Sequence, residues 1–252
     1  MDNHPTPPTA DHAPYSKRAM ARDMVALMQG LGHARFAVVG HDRGAYLALR
    51  LALDHPDVVN QLVIMEAVPI VKALDRCNAR FAASWWHWFF FGQTTKPAER
   101  VINADPDAWY AVDRGPMGEE AYADLRAALH DPQVVHAVCE DYRAGLGIDR
   151  AHDAADRVAG KVLQCPTFTI WATGDDLPDL YGDVLAVWQP WALDLRGVAV
   201  DCDHHIAEER PAELAGLLRD FFASYYQRTA NCLPPVVPIV GRLGRQHSGI
   251  WC

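Results

Sequence analysis

The sequence predicts an α/β protein built on a parallel β-sheet, with a helical cap inserted between two of the strands. Short apolar strands alternate with helical segments, and this alternation is typical of parallel strand pairs joined by right-handed crossovers. The second and third strands are separated by residues 71–164, whose character is helical. A connection of that length is too long for a loop, so we expect it to cover the sheet as a cap.

The composition is that of an acidic globular protein. The chain has 252 residues, 50% of them hydrophobic, and a formal net charge of −9. No basic stripe could neutralise phosphates, so we expect neither a nucleic-acid nor a membrane partner. No apolar run approaches the ~20 residues of a membrane span, and the first residues lack the apolar core of a signal peptide. We therefore expect a cytoplasmic protein that acts on a small molecule.

The six cysteines are scattered without a CxxC pair, which favours free thiols in a reducing compartment. The run of residues 202–205, Cys-Asp-His-His, contains metal-ligating side chains. Four adjacent residues lack the usual spacing of metal ligands, however. We therefore expect no metal site in this run.

The first predicted elements are a helix, a strand and a second helix. Ser16 is predicted to cap a helix that has one apolar face. A short buried strand over residues 36–40 is followed by a helix over residues 44–55, which ends before Pro56. The apolar face of the first helix is formed by Met20, Met24, Leu27, Met28 and Leu31.

Three more buried strands and a helix complete the predicted core. The helix begins at Pro211 and has apolar residues at helical spacing. The proline-rich residues 1–14 are expected to be disordered or a connector. The strands are predicted over residues 61–71, 166–174 and 197–202. We divide the chain into an elbow-bearing part of the core (1–70), the cap (71–164), the C-terminal part of the core (165–227) and an irregular tail (228–252).

The turn between this strand and the second helix, GHDRG at residues 40–44, has the form of a nucleophile elbow, which raises its central side chain above the sheet. Its two glycines would permit the cramped backbone. The central residue is Asp42, whose carboxylate can displace a leaving group from saturated carbon and form an alkyl ester. A water molecule must then cleave that ester. The alternative is that Asp42 simply caps the following helix.

A general base for this water is predicted after the fourth strand. His204 and His205 lie where an α/β hydrolase carries its histidine, and two neighbouring histidines cannot both face the site. Such a base needs a carboxylate that fixes its tautomer. Glu66, which interrupts an apolar strand, is one candidate, and Asp175 or Asp176 after the third strand is the other.

Several stretches together resemble the haloacetate (fluoroacetate) dehalogenases of the α/β-hydrolase superfamily. They are GHDRG, LALDHP, WHWFF, EDYRAG, LAVWQPWA and HHIAEERP, and the resemblance covers residues 13–222. It implies that the protein hydrolyses the carbon–halogen bond of short 2-halo carboxylic acids without a cofactor. It is also compatible with assembly of two copies of the chain into a homodimer. Only 41 residues precede Asp42, so it also implies a partial α/β-hydrolase fold without the first strands of the family.

The resemblance assigns roles to individual residues. Asp42 matches the nucleophile, His204 the base and Glu66 the supporting acid. Arg43 matches an arginine that holds the substrate carboxylate. Tyr46 stands where the family commonly has a second arginine.

In the cap, three donors match those that hold the departing halide: His87, Trp88 and Tyr142. Ring N–H and phenol O–H groups can stabilise an anion that leaves carbon. Three other functions stay open. An epoxide hydrolase would use the same nucleophile with two tyrosine donors, of which only Tyr142 is placed. A truncated homologue would be inactive, and a binding module would hold a carboxylate without turnover.

Overall fold

The computed structural model of the chain describes residues 11–111 and 117–230, with side chains as far as residue 224. The core of this part is a parallel sheet with strand order β1-β2-β3-β4. The strands are β1 Phe36–His41, β2 Val59–Met65, β3 Thr167–Ala172 and β4 Leu195–Val200. The predicted α/β class is therefore confirmed.

Six helices of the described residues pack around this sheet. Ser16 caps the first of them, because its hydroxyl oxygen accepts a hydrogen bond from the backbone N–H of Ala19. The second begins directly at Arg43, one residue after the turn. These helices are α1 Lys17–Gly30, α2 Arg43–Asp54, α11 Asp176–Tyr181, α12 Val184–Trp188, α13 Ile206–Glu209 and α14 Pro211–Ala230.

The cap is inserted between β2 and β3, as the sequence predicts. A π-helical turn, Gly145–Asp149, joins its last two helices. The described cap helices are α3 Ile70–Asp75, α4 Ala79–Ser84, α5 Trp86–Phe91, α6 Glu99–Ile102, α7 Pro106–Tyr110, α8 Glu119–Leu129, α9 Pro132–Ala144 and α10 Arg150–Val158.

The buried face of α1 differs from the prediction. Ala21 and Val25 are buried, whereas Met24, Leu27 and Leu31 are exposed. The apolar stripe of α1 is therefore largely exposed in the structure. This strand forms the edge of the described sheet, and its Val39 is 42% exposed. The described part of the chain therefore exposes apolar side chains on α1 and at the β1 edge of the sheet.

The second strand is shorter than predicted. It ends at Met65, and Glu66 takes a positive φ of 49°, which turns the chain out of the sheet. Pro69 then precedes helix α3, so residues 66–71 do not continue the strand. Their apolar character serves packing under the cap instead. This is the difference that brings Glu66 to the edge of the sheet.

Three other expectations can be compared with the structure. Helix α14 extends to Ala230, so residues 228–230 are helical rather than irregular. Residues 1–10 and 231–252 lie outside the described part.

Among the described cysteines, Cys77, Cys139, Cys165 and Cys202 are free thiols. Within the described ranges, no helix combines the length and apolarity needed to cross a bilayer.

A buried ion-pair network joins the core to the cap. The Arg50 guanidinium of α2 is 2% exposed and donates to Asp153 at 2.6 Å and to Asp156, both on α10. It also contacts Asp54 on its own helix at 3.3 Å. One arginine therefore holds the last cap helix against the helix that follows Asp42.

Arg50→Ala is expected to destabilise the protein by about 3–5 kcal/mol, because it leaves buried carboxylates without their partner. The measurement is the free energy of unfolding by urea. Arg80→Ala is the matched control, since its pair with Asp179 is exposed on both sides and should cost at most ~1 kcal/mol. Equal effects of the two changes would contradict the role given to Arg50.

Candidate active site

The polar side chains singled out in the sequence meet at the carboxyl edge of the sheet. Asp42 follows β1, Glu66 follows β2, Asp175 lies beyond β3 and His204 lies beyond β4. Because parallel strands end at one edge, these residues converge although they are far apart in sequence. They share a cavity of about 230 Å³ with cap residues. Its lining is formed by Asp42, Tyr46, Glu66, Ser84, Trp85, His87, Trp88, Asp175, Asp176 and His204.

The turn at Asp42 has the strained backbone of a nucleophile elbow, with φ 49° and ψ −118°. A Cβ atom on Gly40 would lie 2.4 Å from the carbonyl oxygen of Gly44, so glycine is required at position 40. A Cβ on Gly44 would meet nothing within 4 Å, so only one of the two glycines is needed for space. The Asp42 side chain makes no capping hydrogen bond with α2, which removes the alternative that it is only a helix cap.

His204 is paired with Asp175. Its Nδ1 donates a hydrogen bond to Asp175 Oδ2 at 2.7 Å, whereas Glu66 Oε2 is 3.9 Å from the same nitrogen. The expectation that Glu66 fixes the tautomer of His204 is therefore corrected in favour of the alternative acid. The Glu66 side chain has a different partner: its Oε1 accepts a hydrogen bond from the backbone N–H of Ala172.

The neighbouring histidines have different positions. The side chain of His205 is 65% exposed and contacts Glu208, so His204 is the histidine that faces the cavity. His41 Nε2 donates a hydrogen bond to the carbonyl oxygen of His204 at 2.8 Å. The residue before Asp42 thus fixes the backbone of the loop that carries the base. The sequence contained no signal for this contact.

The pairing makes His204 more basic. Burial disfavours the imidazolium, but the hydrogen bond with Asp175 and the charge of Asp42 outweigh it and raise the pKa of His204. The pKa of Asp175 is low: burial opposes this, but the hydrogen bond with His204 and the contact with Glu66 favour the carboxylate. An imidazole held by a carboxylate in this way is suited to take a proton from water.

Glu66 has the opposite character. Burial, followed by the neighbouring Asp175, raises the pKa of Glu66 to about 9. One ligand atom from each of Glu66, Asp175 and His204 lies within 4.8 Å of the others.

Arg43, which the resemblance assigns to the substrate carboxylate, lies beside the cavity, next to the lining side chains Tyr46 and Trp88. Its Nε donates to Asp141 Oδ2 at 2.6 Å and its Nη2 to the Asp141 carbonyl oxygen at 3.0 Å. The guanidinium lies 4.0 Å from the centre of the Tyr142 ring and 5.2 Å from that of Tyr46. Its Nη1 is buried and has no hydrogen-bond partner in the structure. Burial lowers its proton affinity, but Asp141 more than compensates, so the pKa of Arg43 rises and it stays charged.

A second buried cation shares Asp141. The ammonium group of Lys17, at the start of α1, contacts Asp141 and lies 3.8 Å from Asp149. Burial, followed by the nearby charge of Arg43, lowers the pKa of Lys17. The two cations and the two carboxylates balance in formal charge. Sequence reasoning missed this cluster because its members lie on α1, α2, α9 and the π-helical turn.

The predicted halide donors are brought together only in part. His87 and Trp88 line the cavity, and Trp85 stacks on Trp88 with ring centres 5.3 Å apart. Tyr142 lies behind them, its ring centre 5.8 Å from that of His87 and 6.0 Å from that of Trp88. Burial lowers the pKa of His87 and raises that of Tyr142, so both favour their neutral, proton-donating forms.

The comparisons with known proteins agree with this architecture. A family model described as alpha/beta hydrolase fold matches residues 3–211. A fluoroacetate dehalogenase from Burkholderia sp is 35% identical over 221 residues, which cover 84% of this chain and 72% of that protein. A soluble epoxide hydrolase from Corynebacterium sp. (strain C12) is 29% identical over 83% of this chain and 74% of its own length. The solved structure of ALR0039 from Nostoc sp PCC 7120 superposes with a TM-score of 0.82 at 36% identity, covering 87% of this chain and 77% of that one.

Asp175→Asn is expected to lower the pKa of His204, because it removes the hydrogen bond that favours the imidazolium. The measurement is an NMR titration of the His204 ring. Asp57→Asn, an exposed change of the same type, is the control and should leave the titration unchanged. An unchanged His204 titration in Asp175→Asn would contradict the pairing.

Proposed function

This chain belongs to the alpha/beta hydrolase fold family, and we propose that its site cleaves the carbon–halogen bond of short 2-halo carboxylic acids. The observation that carries the proposal is the position of Asp42. It is a carboxylate on a strained elbow, it lines the same cavity as His204, and His204 is held by Asp175. Such a group attacks saturated carbon, and the base needed for the second step is close by.

The reaction would proceed in two displacements. One oxygen of Asp42 forms a bond to the carbon that bears the halogen, and the halide leaves with the bonding electron pair. The product is an ester between Asp42 and the 2-carbon of the acid. His204 Nε2 then takes a proton from water, whose oxygen attacks the carbonyl carbon of Asp42. The ester bond breaks, and Asp42, a 2-hydroxy acid and a proton result.

The halide would leave toward the cap. His87 and Trp88 line the cavity and carry N–H donors. The pKa of His87 is lowered by burial, so a neutral ring with one N–H is favoured. Donors already held in place cost little reorganisation when charge develops on the leaving atom.

Arg43 would bind the carboxylate of the substrate. The supporting observation is its Nη1, a buried donor without a partner, which a substrate oxygen would satisfy. The ring of Tyr46 lies beside this guanidinium and also lines the cavity. Burial, followed by the charge of Asp42, keeps the pKa of Tyr46 well above its ordinary value, so its phenol is a neutral donor.

An epoxide hydrolase is the second candidate, and one observation favours it. Asp141 already takes the charge of Arg43, and the cavity is lined by several acidic side chains, which suits a neutral substrate. Tyr46 could donate a proton to the oxygen of an opening epoxide. The similarity to the soluble epoxide hydrolase supports this alternative at lower identity than that to the fluoroacetate dehalogenase.

The covalent intermediate is the first test. His204→Ala treated with chloroacetate should accumulate an ester, because formation of the ester does not need the base. Intact-protein mass spectrometry should show an added carboxymethyl group, located on Asp42 by peptide mapping. Asp42→Asn is the control and should show neither the adduct nor halide release. Chloride release by Asp42→Asn, or an adduct at another residue, would contradict the mechanism.

The substrate class is the second test. Wild-type protein with a cooperative melting transition should release halide from chloroacetate faster than it converts styrene oxide to its diol. Arg43→Met should lower kcat/KM for chloroacetate about tenfold to a hundredfold, since a charge-assisted hydrogen bond contributes ~1.5–3 kcal/mol. Arg43→Lys, which keeps the charge, should lose less.

Two results would reverse this assignment. Diol formation without halide release would favour the epoxide. An equal loss of both activities in Arg43→Met would show that this residue does not bind a carboxylate. Folded wild-type protein that turns over neither compound would overturn the proposed function.

A further inference from the structure

Two carboxyl groups lie beside one imidazole in this site. Asp175 Oδ2 is 2.7 Å from His204 Nδ1, and Glu66 Oε2 is 3.9 Å from the same nitrogen. All three groups approach one another within 4.8 Å. A histidine that acts as a base needs only one carboxylate to fix its tautomer. The second acid therefore needs an explanation of its own.

Only one of the two carboxyl oxygens of Glu66 has a hydrogen-bond partner. Its side chain is 0% exposed. Oε1 accepts the N–H of Ala172, but Oε2 has no hydrogen-bond partner in the structure. Among the described residues, no lysine or arginine forms an ion pair with Glu66 or Asp175. An ionised carboxylate in this position would be poorly solvated and would repel its neighbour.

One proton resolves both difficulties. A protonated carboxyl group has an O–H donor, which would give Glu66 Oε2 a hydrogen bond and remove a like charge. Two carboxyl groups at this distance in a buried site cannot both ionise at low cost. Asp175 is the less buried of the two and already accepts from His204, so it is the one that keeps its charge.

We propose that Glu66 and Asp175 share a single proton, which Glu66 carries as a neutral carboxylic acid and donates toward Asp175. The pair then presents one negative charge to His204 instead of two. Glu66 is thus a positioning residue: it holds Asp175, which in turn holds the base.

The number of charges matters for the base. One carboxylate raises the proton affinity of His204, and a second at 3.9 Å would raise it further. An imidazole that is protonated at neutral pH cannot take a proton from water. The neutral form of Glu66 would therefore keep His204 available as a base. The other titratable groups that face this cluster, from the neighbouring elements, are His41, Asp42, His87, Asp176, Cys202 and His205.

Infrared spectroscopy tests the proton without reference to any substrate. At neutral pH the wild-type protein should show the carbonyl stretch of a protonated carboxylic acid, and this band should shift when glutamate alone is labelled with ¹³C. The band should be absent in Glu66→Gln and retained in Glu120→Gln, an exposed control. A missing band at neutral pH, or one that survives in Glu66→Gln, would overturn the proposal.

Stability against pH gives an independent readout. The folded protein keeps the Glu66 proton up to about pH 9, whereas a free glutamate loses it above about 4.5. The wild type therefore binds one proton more when folded, and its stability should fall as pH rises through this range. Glu66→Gln lacks that contribution. Its melting temperature relative to wild type should rise with pH across this window, and a constant difference would contradict the shared proton.

The activity experiment rests on the proposed function. Glu66→Ala should lower kcat/KM about tenfold, the loss of one hydrogen bond, and Glu66→Gln should recover most of it. The acidic limb of the pH–rate profile should stay in place in Glu66→Gln, because no charge is removed. A shift of that limb to lower pH would mean that Glu66 is ionised. If the protein has no dehalogenase or epoxide activity, the infrared and stability results still decide the inference.

Discussion

The parallel direction of the strands is the constraint on which this site depends. All strands of the described sheet have their carboxyl ends at the same edge. The loop after each strand can therefore place a side chain in one shared cavity. Asp42, Glu66, Asp175 and His204 occupy these four positions. No single segment has to carry the whole chemistry, and each side chain is held by the strand or strand-end loop behind it.

The edge imposes a cost in backbone strain. Asp42 and Glu66 both adopt a φ of 49°, a region that side-chain-bearing residues rarely occupy. Their backbone amides stay bonded, Asp42 to Met65 and Glu66 to Ile170, so the strain is held by the sheet itself. Because Gly40 has no side chain, the end of β1 can lie close to the backbone of Gly44 at the start of α2. The result is two acidic side chains directed out of the sheet and into the space under the cap.

Charge balance decides what the cavity can bind. The acids at the sheet edge are opposed by His204, while the guanidinium of Arg43 is drawn into the cap by Asp141. Asp141 also forms an ion pair with Lys17. This buried cluster therefore joins α1, which carries Lys17, and α2, which carries Arg43, to the cap helix that carries Asp141. The affinity of the site for an anionic substrate then depends on how much of the Arg43 charge remains uncompensated. A carboxylate and a neutral epoxide make opposite demands on this balance.

The α/β class, the inserted cap, the elbow and the resemblance that named most of the cavity residues could all be predicted from the sequence. These are local patterns: apolar strands, helical spacing and the GHDRG turn. Three features could not be predicted from the sequence: Asp175 and not Glu66 bonds to His204, Arg43 bonds to Asp141, and the apolar stripe of α1 is exposed. Each of these depends on distances between elements remote in sequence. Which of several chemically similar groups a side chain bonds to depends on differences of about one or two ångströms in the distances between them. Local sequence patterns contain no information about such distances.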